Sequence, residues 1–365
     1  MHPLPRSLRL SVIVVPVLGL LGCMTVGYYA QAIKGHMDLM NRRKPITQLL
    51  QRPELTPELH SKLAQVLRIR DFAGRELHLP DNQSYRNYAD LKRSYVVWNV
   101  FAAPEFSVEL FPSCFLVLGC MDYRGYFEQD DAQHYAQQLR QRRYDVYVSG
   151  VTAYSTLGWF DDPVLNTMID QSEAEIARLI FHELAHQQLY VRSDSTFNES
   201  FAVTVEWEGL WRWLKSTGNL AATEAGRAQH ERETHFIRLV LKIRERLRGL
   251  YQSPLNEVEK RAAKARIFDK MRIEYQGLKE QWGGWNGYDF WFSHDLNNAK
   301  LAAVFTYGQY VPAFRVLLAE HGGDLPAFYR AAAQIGRLPP EARATRMKAL
   351  GVWAGMIEQE GVKMP

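Results

Sequence analysis

The stretch IARLIFHELAHQQLY, residues 176–190, constrains this chain more than any other, because its chemistry requires a helix. On a helix, His182 and His186 are four positions apart and point the same way, so both imidazoles can reach one metal ion. Glu183 sits about a quarter-turn round, close enough to take a proton from a water that the metal activates. The helix has independent support: Ser172 and Glu175 have capping-box spacing, which predicts a start there and a run to about Tyr190. With only 11 histidines in 365 residues, a chance pair on an exposed helix is the weaker explanation. A fold for this chain must therefore bring a third ligand against that helix, leaving a fourth position open.

Length and composition allow this. At 365 residues, with 9 Trp, 18 Tyr and 17 Phe, the chain can bury a sizeable core as one large domain or two smaller ones. A net charge of +4 is too small to argue for a nucleic-acid partner. The charge is uneven: between Ala221 and Trp282 there are 14 Lys/Arg against 9 Asp/Glu. That pattern reads as the solvated face of a helical pair, long enough to wall a cleft, with anionic lipid or a partner as the alternative contact.

Residues 1–22 read as a signal peptide. Arg6 and Arg9 form a basic region at the start of the apolar run LRLSVIVVPVLGLL, which is short and proline-interrupted for a spanning helix. Leu20-Leu21-Gly22-Cys23 looks like a bacterial lipobox, with cleavage before Cys23 and lipid on its thiol. Met24 leans the address towards the outer membrane, facing the periplasm; an uncleaved anchor with an incidental cysteine is the alternative. Cys114 and Cys120 then remain, and in an oxidising compartment they read as a disulfide rather than two thiols on one strand face.

The expected fold class is α+β: a small N-terminal mixed sheet with helices over residues 23–170, followed by a mainly helical, zincin-like half over 171–365, the two forming one catalytic unit. Helices are expected at Val26–Leu50, Pro57–Ile69 and Asp130–Arg142, and strands at Ser94–Ala102, in CFLVLGC and from Tyr144. In the second half the expected helices are Asn198–Leu214, Ala221–Tyr251 and Asn256–Gln281, with shorter ones after a glycine-rich aromatic connector.

The segment Asn198-Glu199-Ser200-Phe201-Ala202-Val203-Thr204-Val205-Glu206 resembles the NEGFAxxVE segment of the aminopeptidase N-like gluzincins, in which the first glutamate is the third zinc ligand. The resemblance implies that Glu199 completes the set with His182 and His186. Glu206, two turns further on the same face, suits a hydrogen bond to a ligand imidazole. Spacing alone favours Glu206 as the ligand, since it lies 20 positions after His186, the thermolysin-type separation.

Over nearly all its mature length the chain also resembles a family of bacterial aminopeptidases, mostly proteobacterial. The likeness is carried by YYAQAIKGH, VVWNVFAAPEFS, GCMDYRGYF, AYSTLGWFDDPVL, LIFHELAHQQLYV, FNESFAVTVEWEG and NNAKLAAVFTYGQYVPAF. It implies one Zn2+ per chain, a peptide substrate, a membrane tether and Glu183 as general base. It also points to Tyr307 as the oxyanion donor, with Tyr310 and His294 as rivals. Gln187 departs from the common zincin pattern and is expected to face solvent or substrate. Tyr154–Trp159 is a candidate edge strand for the substrate backbone, or a plain strand-turn packed in the core. Asp161 and Asp162 are candidates for a substrate ammonium, although the GAMEN motif of aminopeptidase N relatives is absent. The rival functions are a non-catalytic, metal-stabilised envelope lipoprotein and a zinc endopeptidase or cell-wall peptide amidase. The sequence does not bear on oligomeric state.

Overall fold

A computed structural model describes residues 26–115 and 119–359. The expected signal peptide and Cys23 lie outside the described residues. Helix α1 covers residues 26–41. It stops short of the expected Leu50 because Pro45 lacks an N–H and cannot continue a helix. The chain instead forms strand β1 (Lys44–Pro45) and a short α2 (Ile46–Leu49). Helix α3 (Pro57–Arg75) runs further than expected, started by Pro57 and by Thr56, whose hydroxyl accepts from the Leu59 amide.

Six strands and one helix follow: β2 (Asn87–Ala89), β3 (Val97–Pro104), β4 (Ser113–Phe115), β5 (Gly119–Met121), β6 (Arg124–Tyr126), α4 (Gln129–Gln141) and β7 (Tyr144–Val151). Then come β8 (Val164–Leu165) and the short α5 (Asn166–Ile169). Strand β3 pairs antiparallel with β6 on one side and β7 on the other, in a register from Val97 opposite Val151 to Pro104 opposite Tyr144. Its apolar run is explained by cover on both faces. Val100 and Ala102 pack with Ala132, Ala136 and Leu139 of α4, whereas Phe101 and Ala103 face Ala299 and Ala303. A second sheet has the order β1-β2-β8, and β4 with β5 forms a separate hairpin. In that hairpin Cys114 faces Cys120 and the two sulfurs are bonded. The CFLVLGC stretch is thus a bridged hairpin and not a single strand.

The second half is helical: α6 (Glu173–Gln188), α7 (Ser195–Thr217), α8 (Leu220–Gln252), α9 (Glu257–Gln281), α10 (Asp289–Ser293), α11 (Asn298–Gly308), α12 (Val311–Glu320), α13 (Leu325–Gly336) and α14 (Pro340–Gln359). The capping boxes at Ser172/Glu175 and Asn256/Glu259 are both closed by reciprocal bonds. Helix α7 is buried on nearly every face, packed between α6, α11 and α12. The largest core cluster joins both halves: Leu63, Val66 and Ile69 of α3 meet Ile180, Phe181 and Leu184 of α6 and Phe201 of α7. Helices α8 and α9 share an apolar seam through Phe236, Val240, Ile243, Phe268 and Met271; Arg244 of α8 is buried and Glu233 mostly so, while many of the pair's other charges are exposed.

The approach of α6 to α7 depends on Gly209. A Cβ there would lie 2.7 Å from side-chain atoms of both Phe181 and Leu77, which are themselves fully buried. Overpacking of this kind costs about 1–3 kcal/mol and outweighs the roughly 1 kcal/mol that alanine gains over glycine inside a helix. Gly209→Ala is therefore expected to destabilise the protein by up to about 2 kcal/mol in denaturant unfolding, where a stabilised variant would contradict this packing.

Candidate metal centre

Helices α6 and α7 bring the centre together. His182 and His186 stand one turn apart on α6, while Glu199 lies in the second turn of α7, whose N-terminus is capped by Asp194 accepting from the Phe197 amide. The loop between the helices is short and is held by Asn198, which accepts from the Val191 amide and donates to its carbonyl. That bracket turns the next residue, Glu199, towards α6. Nε2 of His182 is 3.1 Å from Nε2 of His186 and 3.3 Å from Oε2 of Glu199. The His186–Glu199 separation is 3.5 Å.

These residues fit a divalent metal. Donors about 2.0–2.1 Å from a tetrahedral ion stand roughly 3.3–3.4 Å from one another, and the three observed separations bracket that edge. The protonation pattern agrees. Nδ1 of His182 lies 2.7 Å from Oε2 of Glu206, so the neutral ring donates there and leaves Nε2 as a lone pair. That lone pair then faces a carboxylate oxygen, a contact that positive charge between the two, a proton or a metal ion, would satisfy. The same demand shows in the pKa of His182: burial opposes a charge, yet hydrogen bonds to Glu199 and Glu206 carry it well above the ordinary histidine value. The three groups form a cluster able to hold one metal ion. Glu206 is bonded to the Nδ1 side of His182 and stands outside that trio, so the geometry favours Glu199 over the assignment by spacing alone.

Behind Glu206 stands Arg178, which the sequence reading missed. Its Nε donates to Oε1 of Glu206 at 3.0 Å, and its Nη2 donates to Oε2 of Glu233 on α8 at 3.1 Å. The guanidinium lies 3.8 Å from the centre of the Trp207 ring. Burial pushes against ionisation of Glu206, but Arg178 and His182 hold its pKa below the usual carboxylate value. Arg178 was within reach of pattern reasoning, since it precedes His182 by four and so shares its face. Glu233 carried no such signal.

Glu183 stays partly exposed, and burial raises its pKa against the opposing pull of His182 and His186. Tyr307 of α11 stacks beside His182 with ring centres 6.3 Å apart. The charge on Glu199 and then burial keep its phenol protonated far above the ordinary tyrosine pKa. The rivals stand elsewhere: Tyr310 is near Asp194 and Arg343, and exposed His294 bonds the Phe290 carbonyl. Three further tyrosines sense the cluster. Tyr123 and Tyr190 feel the charge of Glu199, and fully buried Tyr85 feels that of Glu183.

The segment expected as an edge strand is a turn. After β7 ends at Val151, residues 152–163 loop back, with φ +56° at Leu157 and +82° at Gly158. Two consecutive left-handed residues cannot lie in an extended strand. Asp162 organises this loop by accepting from both the amide and the hydroxyl of Thr156, each at 2.8 Å. It is fully buried and so not placed to meet a substrate ammonium, while exposed Asp161 uses its carbonyl to hold Arg43. Gln187 accepts from Asn82 at 2.7 Å and donates to Ser84, tying the motif helix to the turn before β2 instead of facing solvent.

Burial pushes the Asp162 carboxyl up to about 7, against the hydrogen bonds from Thr156. A folded-state pKa above the unfolded value of 3.8 means that the protonated form stabilises the fold. That contribution is complete below the unfolded pKa and is lost as pH rises through about 7. Subtracting the pH–stability curve of Asp162→Asn from that of the wild type should leave a decline across this window; a flat difference would show that Asp162 does not titrate there.

Fold and site together define an α+β protein with a buried His–His–Glu cluster on two packed helices. Residues 27–347 match the model of the family described as "Putative aminopeptidase", and the chain belongs to that family. Comparison with curated proteins and with solved structures returned no match.

Proposed function

We propose that this protein is a zinc-dependent metallopeptidase acting as an aminopeptidase on short peptides. The observation that carries this reading is the convergence of two imidazole nitrogens and one carboxylate oxygen at 3.1–3.5 Å, with acceptors facing one another. A structural site would use all four positions and would have no purpose for Glu183. Family membership supports peptide-bond hydrolysis as the chemistry.

His182, His186 and Glu199 hold the metal, which when bound supplies Lewis acidity, polarising the scissile carbonyl and making water a better acid. Glu183 takes the proton of the attacking water and passes it to the leaving amine. Burial raises its pKa, which makes it a stronger base than an ordinary carboxylate. Glu206 fixes the His182 tautomer, and Arg178 fixes Glu206. Tyr307, partly exposed and held as a phenol, donates to the oxyanion as the carbonyl becomes tetrahedral. Tyr307→Phe should then lower kcat by about 10²–10³-fold with little change in KM, and an unchanged kcat would remove it from the mechanism.

The leader and Cys23 favour a lipid-anchored protein of the bacterial envelope facing the periplasm. The deciding experiment is incubation of the purified, zinc-loaded protein with a peptide library, with and without chelator. Stepwise loss of N-terminal residues that chelator abolishes is the expected result. Internal cuts would make it an endopeptidase. No cleavage by zinc-loaded protein would overturn the peptidase reading.

A further inference from the structure

Helix α1 is apolar on both sides, and only one side is covered. Its inner face packs on the body: Tyr28 meets Phe115 and Tyr126, Gln31 accepts from the Phe127 amide, and Leu39 is fully buried. Its outer face carries Val26, Ile33 and Met37, which are 67%, 59% and 57% exposed. At the angular step of a helix these three fall in one stripe about 40° wide. Scattered apolar side chains are ordinary on a surface, whereas a contiguous apolar stripe marks a contact.

The loop before β8 extends this surface. Trp159 and Phe160 are 74% and 52% exposed, and the Phe160 ring lies 4.6 Å from that of His36 on α1. Arg43, just past α1, donates to the Asp161 carbonyl at 2.8 Å and holds the loop against the helix. Around the stripe stand Lys34, Arg42, Arg43 and Lys44, against the acids Asp38 and Asp161. The local balance is positive.

The position of α1 in the chain says what covers it. Val26 follows Cys23 by three residues and the apolar run at positions 8–21 by five. Three residues span at most about 10 Å, which matches the depth to which an amphipathic helix enters a bilayer interface. Tryptophan at the edge of an apolar patch suits the same boundary. We infer that the outer stripe of α1, with Trp159 and Phe160, is a membrane-contact surface that lays the body on an anionic bilayer. It rests on the lipid-anchor reading of Cys23, to which it would add a second contact, and not on the peptidase reading.

The test uses the full chain in vesicles of phosphatidylethanolamine and phosphatidylglycerol. A photo-crosslinking p-benzoylphenylalanine replaces Met37 or Phe160 and, as a control, Ile273, which is 70% exposed on α9. Lipid adducts at positions 37 and 160 should exceed those at 273 about tenfold. In a Phe160-labelled chain, the added substitution Ile33→Glu should cut the lipid adduct by a similar factor. Adducts to residues 1–22 of the same chain, or to a second copy, would overturn the proposal by naming another occupant. Equal lipid labelling at 273 would overturn it as nonspecific adhesion.

Discussion

Glu183→Gln is expected to lower kcat by about 10²–10⁴-fold while the protein still folds and binds one metal ion. The amide has the size of the carboxylate and keeps its hydrogen-bonding shape, but it cannot accept a proton. Glu183 lies outside the trio of donors that could hold a metal ion, His182, His186 and Glu199. Metal content by elemental analysis should therefore match the wild type, and the unfolding midpoint should hold or rise, since removing a partly buried charge relieves desolvation. Peptide hydrolysis at the native rate would end the general-base role. Loss of metal along with activity would instead make Glu183 part of the binding set.

Arg178→Met is expected to have the largest effect on stability. The guanidinium bridges Glu206 and Glu233, carboxylates that lie on different helices and are both mostly buried. Methionine fills much of the volume and keeps contact with Trp207, yet it leaves two acidic groups facing each other without a cation. Breaking a buried pair in this way costs about 3–5 kcal/mol, whereas forming one adds little over an apolar isostere. Glu206 also loses its hold and with it the orientation of His182, so metal affinity should fall about 10–100-fold in a chelator competition. Arg178→Lys keeps the charge but not the fork, and should fall between the two. The double variant Arg178→Met/Glu233→Gln should recover part of the stability by removing one of the stranded charges. An unchanged affinity in Arg178→Met would show that Glu206 is oriented without it.

Much of the helical half was legible from local spacing. The Ser172/Glu175 and Asn256/Glu259 boxes start α6 and α9 as expected, because an N-terminal cap is a contact over three residues. The ends of α8 and α9 also follow from the run and its breakers. The irregular parts were less legible. Pro45, a local breaker, ends α1 early; Leu157 with Gly158 turns an apolar segment away from strand geometry, since backbone dihedrals in a loop are settled by what it packs against. Asp162 illustrates the cause: its carboxylate holds the turn from within the core, a position that no pattern in DDP announces.

By itself the sequence determined the helix that carries His182, Glu183 and His186, the α+β layout and the family. Each rests on residues within one or two turns of each other or on the text of the whole chain. Only the tertiary structure decided that Glu199 faces the two imidazoles while Glu206 backs His182, and that Arg178, Glu233, Tyr123 and Tyr307 converge there. Those groups come from α6, α8, α11 and the β5–β6 turn, separated by up to about half the chain. Periodicity reports which face of an element is apolar; which two faces meet is set by burial across long loops, and that geometry brings together a cluster able to hold a metal ion.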